Sequence, residues 1–394
     1  MNFYAIHDQG MLRVAAATPL GSVGDVEANL ARTVELWRQA DAEGVDLVVF
    51  PELSLSSYAI DDLHLQDALL DAVEDAIARL IEHGRDLAPV ICVGAPIRRA
   101  GRLYNCALAI ARGRLLGIVP KSYLPNYREY YEKRWFAPGV GLVGLEASVG
   151  GHPAPFGTDL LFAADDLDDF IFHMEVCEDY WAPAPPSTAG AMAGALVLCN
   201  LSASNIVVGK ARERALLAAS QSARAVAAYI YSASGQGEST TDLAWDGQAS
   251  IYELGEEIAT SRRFSDEPEL LVTDIDLQRC RLERMRTGTF NDCAAASGHP
   301  ERTFRRIGFE HRPHRADKGL RRTLARFPFV PDDPQRLDDD CYEAFNIQVA
   351  GLMGRMASTK ARHLVIGVSG GLDSTHALIV AAKACDRLGL PRDA

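Results

Sequence analysis

LRVAAAT (residues 12–18), VEANLARTVELWRQADA (26–42) and DLVVF (46–50), closed by Pro51-Glu52-Leu53, read as strand, helix and strand. The first and third runs are short and apolar, as in strands buried on both faces. The middle run carries Leu30, Val34, Leu36 and Trp37 at helical spacing. Outward from this unit the pattern continues. Residues 66–81 predict a helix and 89–94 a strand. Residues 104–111 and 115–119 flank Arg112-Gly113-Arg114, a hairpin signal. Strands are expected at 170–176, 195–200, 226–232, 249–253 and 270–275, with a helix at 211–225. Strands alternating with helices, with hairpins among them, give a mixed sheet covered by helices. This α/β domain, residues 1–276, ends where the pattern breaks.

Residues 277–337 are rich in Arg, Gly, Pro and polar side chains and read as a linker with some helix. Residues 338–358 predict an amphipathic helix, with Phe345, Val349 and Met353 at four-residue steps. A short apolar strand at 363–368, a glycine-rich turn and a helix at 375–387 then open a second α/β domain, residues 338–394. One βα unit cannot cover both faces of its strand, so this domain is expected to be truncated.

The 394 residues carry a formal charge of −13, which argues against a general nucleic-acid binder. The Arg-rich stretches 302–306 and 312–322 read as solvated or interface charge. Eight cysteines without CxxC or zinc-finger spacing suggest reduced thiols and a cytoplasmic protein. No metal site is expected in the first domain. No run approaches the ~20 apolar residues of a membrane span, so no membrane partner is expected, and residues 1–10 lack the features of a signal peptide.

Three strand ends carry chemistry. Phe50-Pro51-Glu52 offers a carboxylate directly after a buried strand, suited to a general base. Pro120-Lys121-Ser122 offers a cation where negative charge would develop. Val176-Cys177-Glu178-Asp179 offers a thiol before a polar turn, suited to a nucleophile. Singly, each has an ordinary reading as a surface or core residue. Their order and spacing closely resemble the nitrilase (carbon–nitrogen hydrolase) superfamily over roughly residues 10–276. The resemblance implies an αββα sandwich, with Glu52 as base, Lys121 as transition-state stabiliser and Cys177 as nucleophile through a thioester. It also implies that Glu132, in Tyr131-Glu132-Lys133-Arg134-Trp135-Phe136, orients the amide and Lys121.

Cys177-Glu178-Asp179 with Trp181, Pro185 and Pro186, then Asn200-Leu201-Ser202-Ala203-Ser204 and Gly237-Glu238-Ser239-Thr240-Thr241-Asp242 before Trp245-Asp246-Gly247, resemble the glutaminase domain of the bacterial glutamine-dependent NAD synthetases. By that resemblance Tyr127, Glu178, Ser204 and Lys210 bind glutamine, and this step needs no cofactor. Gly367-Val368-Ser369-Gly370-Gly371-Leu372-Asp373-Ser374 is similar to the SGGxDS loop of Rossmann-like ATP pyrophosphatases. It implies ATP held at a helix N-terminus, with Mg2+ near Asp373. In the complete family enzyme, ammonia from glutamine amidates deamido-NAD to NAD at the expense of ATP. A homo-oligomer is also expected from the family. The competing readings are a stand-alone nitrilase-type amidase on another small amide, which has no use for an ATP loop, and a non-catalytic assembly module.

Overall fold

The computed structural model describes residues 3–313, 316–331 and 333–391. His314, Arg315 and Asp332 of the expected linker, and residues 392–394 of the expected second domain, lie outside them. The chain forms two compact units, Met1–Arg322 and Thr323–Ala394. Among the described residues no helix is long and apolar enough to cross a membrane.

The first unit opens with β1 (Met11–Thr18), α1 (Val26–Ala42), β2 (Leu47–Val49), α2 (Asp67–His83) and β3 (Val90–Arg99). The hairpin β4 (Arg102–Ala111) and β5 (Arg114–Pro120) follows, then β6 (Leu145–Val149) and β7 (His152–Phe156). Next come β8 (Leu160–Ala164), β9 (Ile171–Val176), α3 (Pro186–Met192), β10 (Val197–Ser202), α4 (Lys210–Ala225) and β11 (Ala228–Ala233). The unit closes with β12 (Ala249–Glu253), β13 (Glu256–Thr260), β14 (Glu269–Asp276), α5 (Leu277–Arg286), α6 (Gly288–Ala296) and β15 (Arg305–Phe309).

Instead of the one mixed sheet read from the strand pattern there are two. Their strand orders are β14-β1-β2-β3-β4-β5-β7-β6 and β13-β12-β11-β10-β9-β8-β15. They meet face to face through Val14, Val49, Cys92, Phe162, Phe172, Val176, Leu201 and Ile230. On the outer face of the first sheet, α1 and α2 bury Leu30, Val34, Trp37, Val73, Ile77 and Leu80. Each such side chain contributes about 1.5–3 kcal/mol by leaving water. On the outer face of the second sheet, α3 and α4 lay Ala191 and Ala218 against Tyr229 and Tyr231. The layers are therefore helix, sheet, sheet, helix, as the resemblance implied.

Parallel pairing decides where function can sit. β1, β2 and β3 are mutually parallel, as are β9, β10 and β11. The chain leaves parallel strands at their carboxyl ends, where side chains from several strands converge. Glu52 follows β2, Cys177 follows β9 and Ala203 follows β10.

Residues 277–322 are not a linker but part of the first unit. β15 extends the second sheet parallel to β8. In α5, Arg284 donates to the carbonyls of Val226, Ala191, Ala195 and Ala225 at 2.6–3.2 Å. Arg305 pairs with Asp159 at 2.8 Å and Arg322 with Glu253 at 2.9 Å. Arg284, Arg305 and Arg322 thus hold this segment to the unit through polar contacts, to which a search for apolar periodicity is blind, whereas Arg302 and Arg312 are exposed. His311 closes this segment onto the start of β2. Its Nε2 donates to Asp46 Oδ1 at 2.9 Å, while His7 Nε2 and the Arg13 amide donate to the same buried carboxylate.

The second unit pairs α7 (Pro334–Thr359) with α8 (Leu372–Leu388) through Val349, Val380 and Ala384. The strand expected at 363–368 is not formed, and Val365 is 99% exposed. A strand's hydrogen bonds need a neighbouring strand, and among the described residues this unit has none.

Burial alone would raise the Asp46 carboxyl, but the hydrogen bonds from His311 and His7 outweigh it and bring the pKa down to about 2. The stabilisation is therefore complete at neutral pH and is lost as pH falls from about 4 to 2. His311→Ala is expected to cost roughly 2–3 kcal/mol at pH 7 in urea unfolding, and this cost should shrink toward pH 2.

Candidate active site

Glu52, Lys121, Glu132 and Cys177 come together between the ends of the two sheets. Lys121, fully buried, places Nζ 2.7 Å from Glu52 Oε1 and 2.6 Å from Glu132 Oε1. Glu52 is equally buried and takes two further donors: Asn105 Nδ2 at 2.6 Å on Oε1 and the Ala203 amide at 2.7 Å on Oε2. Glu132 Oε1 also accepts from Tyr58 Oη at 2.7 Å, while its Oε2 is buried without a partner.

Burial pulls Lys121 toward its neutral form, but Glu132 and Glu52 outweigh it and hold the ammonium well above its usual range. Burial pushes the Glu132 carboxyl up, Lys121 opposes and Glu52 adds, leaving it at about 7. Cys177 follows β9 in a left-handed conformation, φ 44°. Burial drives its thiol well above the ordinary range, Glu52 adds to this, and Lys121 opposes. The resting sulfur is thus a protonated thiol inside the field of a cation and two carboxylates. Such a thiol needs a base in order to attack.

Glycines allow this convergence. A Cβ on Gly94, in β3, would lie 2.2 Å from the Leu53 nitrogen and 2.7 Å from the Glu52 carbonyl carbon. A Cβ on Gly139 would lie 2.7 Å from the Pro120 oxygen and 2.8 Å from that of Lys121.

Around the core, Tyr127 Oη donates to Glu178 Oε1 at 2.7 Å. Lys210 Nζ donates to Tyr130 Oη at 3.2 Å and to Asn205 Oδ1 at 2.5 Å, and lies 5.5 Å from the Trp181 ring centre. Ser204 is buried instead of open. Its hydroxyl accepts from Arg214 Nε at 3.3 Å and its carbonyl from Arg214 Nη2 at 2.7 Å. Arg214 is in turn paired with Asp246 at 2.8 Å. A cleft lined by Tyr58, Ala59, Glu129, Tyr130, Tyr131, Trp135 and Thr241 opens beside these residues. Glu238 fixes its wall, accepting from the Tyr58 amide at 3.0 Å and the Ala59 amide at 3.3 Å.

Asn105, Tyr58 and Tyr130 join the site without having stood out in the sequence. Asn105 is visible as a polar residue within the apolar run of β4, whereas Tyr58 and Tyr130 carry no such signal.

Residues 367–374 precede and open α8, and belong to the second unit instead of this cluster. Gly370 is left-handed at φ 85°. Gly371 caps α8 without a side-chain hydrogen bond, and Ser374 Oγ donates to the Gly371 carbonyl at 3.0 Å.

The Carbon-nitrogen hydrolase family profile matches residues 13–285. The chain belongs to the carbon–nitrogen hydrolase family. It is 54% identical over 392 residues to the glutamine-dependent NAD(+) synthetase of Mycobacterium tuberculosis, covering 100% of this chain and 58% of that protein. The Mycobacterium leprae synthetase is 53% identical, and the chain again spans 58% of its length. Among solved structures, the glutamine-dependent NAD(+) synthetase of Cytophaga hutchinsonii matches with TM-score 0.58 at 22% identity, over 96% of this chain and 52% of that one. The Acinetobacter baumannii synthetase, solved in complex with ADP, matches with TM-score 0.56 at 23% identity, over 95% and 57%. These two likenesses establish a shared fold.

Gly94→Ala is expected to push the Pro51-Glu52-Leu53 turn off the sheet. Overpacking of this kind costs about 1–3 kcal/mol, read as a lowered Tm, whereas Gly288→Ala, at the start of α6 with nothing within 4 Å, should change Tm far less.

Proposed function

We propose that this chain is the glutamine-hydrolysing part of a glutamine-dependent NAD synthetase. The observation that carries the reading is the wholly buried Glu52–Lys121–Glu132 cluster beside a protonated Cys177 thiol. The 54% identity across the chain to a synthetase of that name supports the choice of substrate.

In this mechanism Glu52 accepts the thiol proton as Cys177 Sγ attacks the glutamine side-chain amide. Negative charge then forms on the amide oxygen, and Lys121, already an ammonium, stabilises it without reorganisation. The unpartnered Oε2 of Glu132 accepts from the amide nitrogen and holds it toward the departing side. Glu52 returns its proton to that nitrogen, ammonia leaves and a γ-glutamyl thioester remains. Water activated by Glu52 cleaves the thioester to glutamate. Glu178 and Tyr127 meet the α-ammonium of glutamine and Lys210 its α-carboxylate. Ser204, tied to Arg214, shapes the turn behind them.

The loop 367–374 suits a phosphate group. Its glycines admit close backbone approach, and the first N–H groups of α8 are not capped by a side chain. ATP would be held there, with Mg2+ at the exposed Asp373. When bound, ATP activates the carboxylate of deamido-NAD toward ammonia.

Ammonia release from glutamine by the purified chain, with Cys177→Ala beside it, tests the reading. Release by the parent and at least a thousandfold less by the variant is expected; equal release by both overturns it. Because Glu132 titrates at about 7, the parent rate should fall as pH drops through that value and Glu132 loses its charge beside Lys121. Glu132→Gln should lose about tenfold or more at pH 8 and lose this acid limb.

A further inference from the structure

Asp179 lies two residues beyond the nucleophile and contacts neither Glu52, Lys121 nor Glu132 by any hydrogen bond among the described residues. It is 1% exposed. Its Oδ2 accepts from the Val176 amide at 3.1 Å, at the end of β9, and from the Ser122 amide at 3.3 Å. Its Oδ1 accepts from the Tyr123 amide at 2.8 Å. Val176 immediately precedes Cys177, and Ser122 and Tyr123 immediately follow Lys121. One buried carboxyl side chain therefore binds the Cys177 turn of the second sheet to the Lys121 turn of the first.

We infer that Asp179 is a positioning residue that sets the separation of Cys177 from Lys121. The sheets meet through apolar side chains, and apolar packing is not directional. Hydrogen bonds to backbone amides are directional, and three on one carboxylate fix both turns at once. The left-handed φ of 44° at Cys177 is a conformation that non-glycine residues hold only when neighbouring contacts impose it. The bond from Val176 N–H to Asp179 is such a contact. The neighbouring Glu175 acts elsewhere. It accepts from Tyr229 Oη at 2.5 Å and from the Ser187 amide at 2.9 Å, within the second sheet and its helices.

The inference rests on the amidase reading for its substrate but not for its geometry, and two readouts separate them. Asp179→Asn keeps the shape of the side chain but turns an NH2 group toward backbone N–H donors. In the folded variant kcat for ammonia release should fall about tenfold or more, with KM for glutamine changed less than threefold. Alkylation of Cys177 by iodoacetamide at pH 8, which needs no glutamine, should slow at least fivefold as Lys121 loses its register with the sulfur. In a Lys121→Met background the Asp179 substitution should add less than twofold to the alkylation effect. Alkylation at or above the parent rate in a folded variant, or fully multiplicative effects in the double variant, would overturn the inference. A parent that releases no ammonia while the alkylation effects appear would remove the glutaminase reading and leave the clamp standing. If Asp179→Asn does not fold, Asp179→Glu is read by the same alkylation assay, with slowing expected and a parent-like rate contradicting.

Discussion

A lysine ammonium with no access to solvent, held between two carboxylates, is the constraint on which the rest of the site depends. Removing a charge from water costs several kcal/mol unless its partners are close and fully bonded. Lys121 meets that condition with Glu52 at 2.7 Å and Glu132 at 2.6 Å. Each carboxylate must then be supported in turn. Glu52 has Asn105 and the Ala203 amide, and Glu132 has Tyr58. Burial keeps the Tyr58 hydroxyl protonated, so it remains a donor. Loss of any one partner leaves a buried charge short of bonds, which makes the cluster rigid and ready for charge that appears only during reaction.

The cluster also explains why two sheets are needed. Glu52 and Lys121 come from the first sheet, Cys177 and the Ala203 amide from the second. Neither sheet contains both Lys121 and Cys177. The site exists only when the sheets are stacked in one register, and polar bonds across the seam define that register. Glu52 N–H donates to the Ser202 carbonyl at 3.2 Å and Ala203 N–H to the Glu52 carboxylate, while Asp179 bridges the seam in the same way at the Lys121 turn. Gly94 and Gly139 supply the space for the turns to approach.

Much of this was legible in the sequence because buried parallel strands are written as uninterrupted apolar runs. α1 begins and ends where the Leu30, Val34 and Trp37 spacing places it. Glu52, Lys121 and Cys177 stood out because each follows such a run. The strands β6, β7, β8 and β13 and the helix α3 were missed as well, and the missed elements beyond residue 276 are held by polar contacts. β15 and α5 depend on Arg305 and Arg284, whose pairing with Asp159 and with backbone carbonyls leaves no periodic trace. The division into two sheets was likewise invisible to strand counting, since a strand's sequence does not name its neighbour. The apolar run at 363–368 failed for the complementary reason: apolar composition favours a strand, but a strand forms only against another.

The central claim is that Cys177 attacks the glutamine amide under the control of Glu52. Its most direct test is peptide mass spectrometry of the chain after incubation with 6-diazo-5-oxo-norleucine, a glutamine analogue that alkylates an attacking thiol. The account predicts a single adduct on Cys177, protected by glutamine and strongly reduced in Glu52→Gln. An adduct on any of the other seven cysteines in place of Cys177, or undiminished labelling in Glu52→Gln, would contradict it.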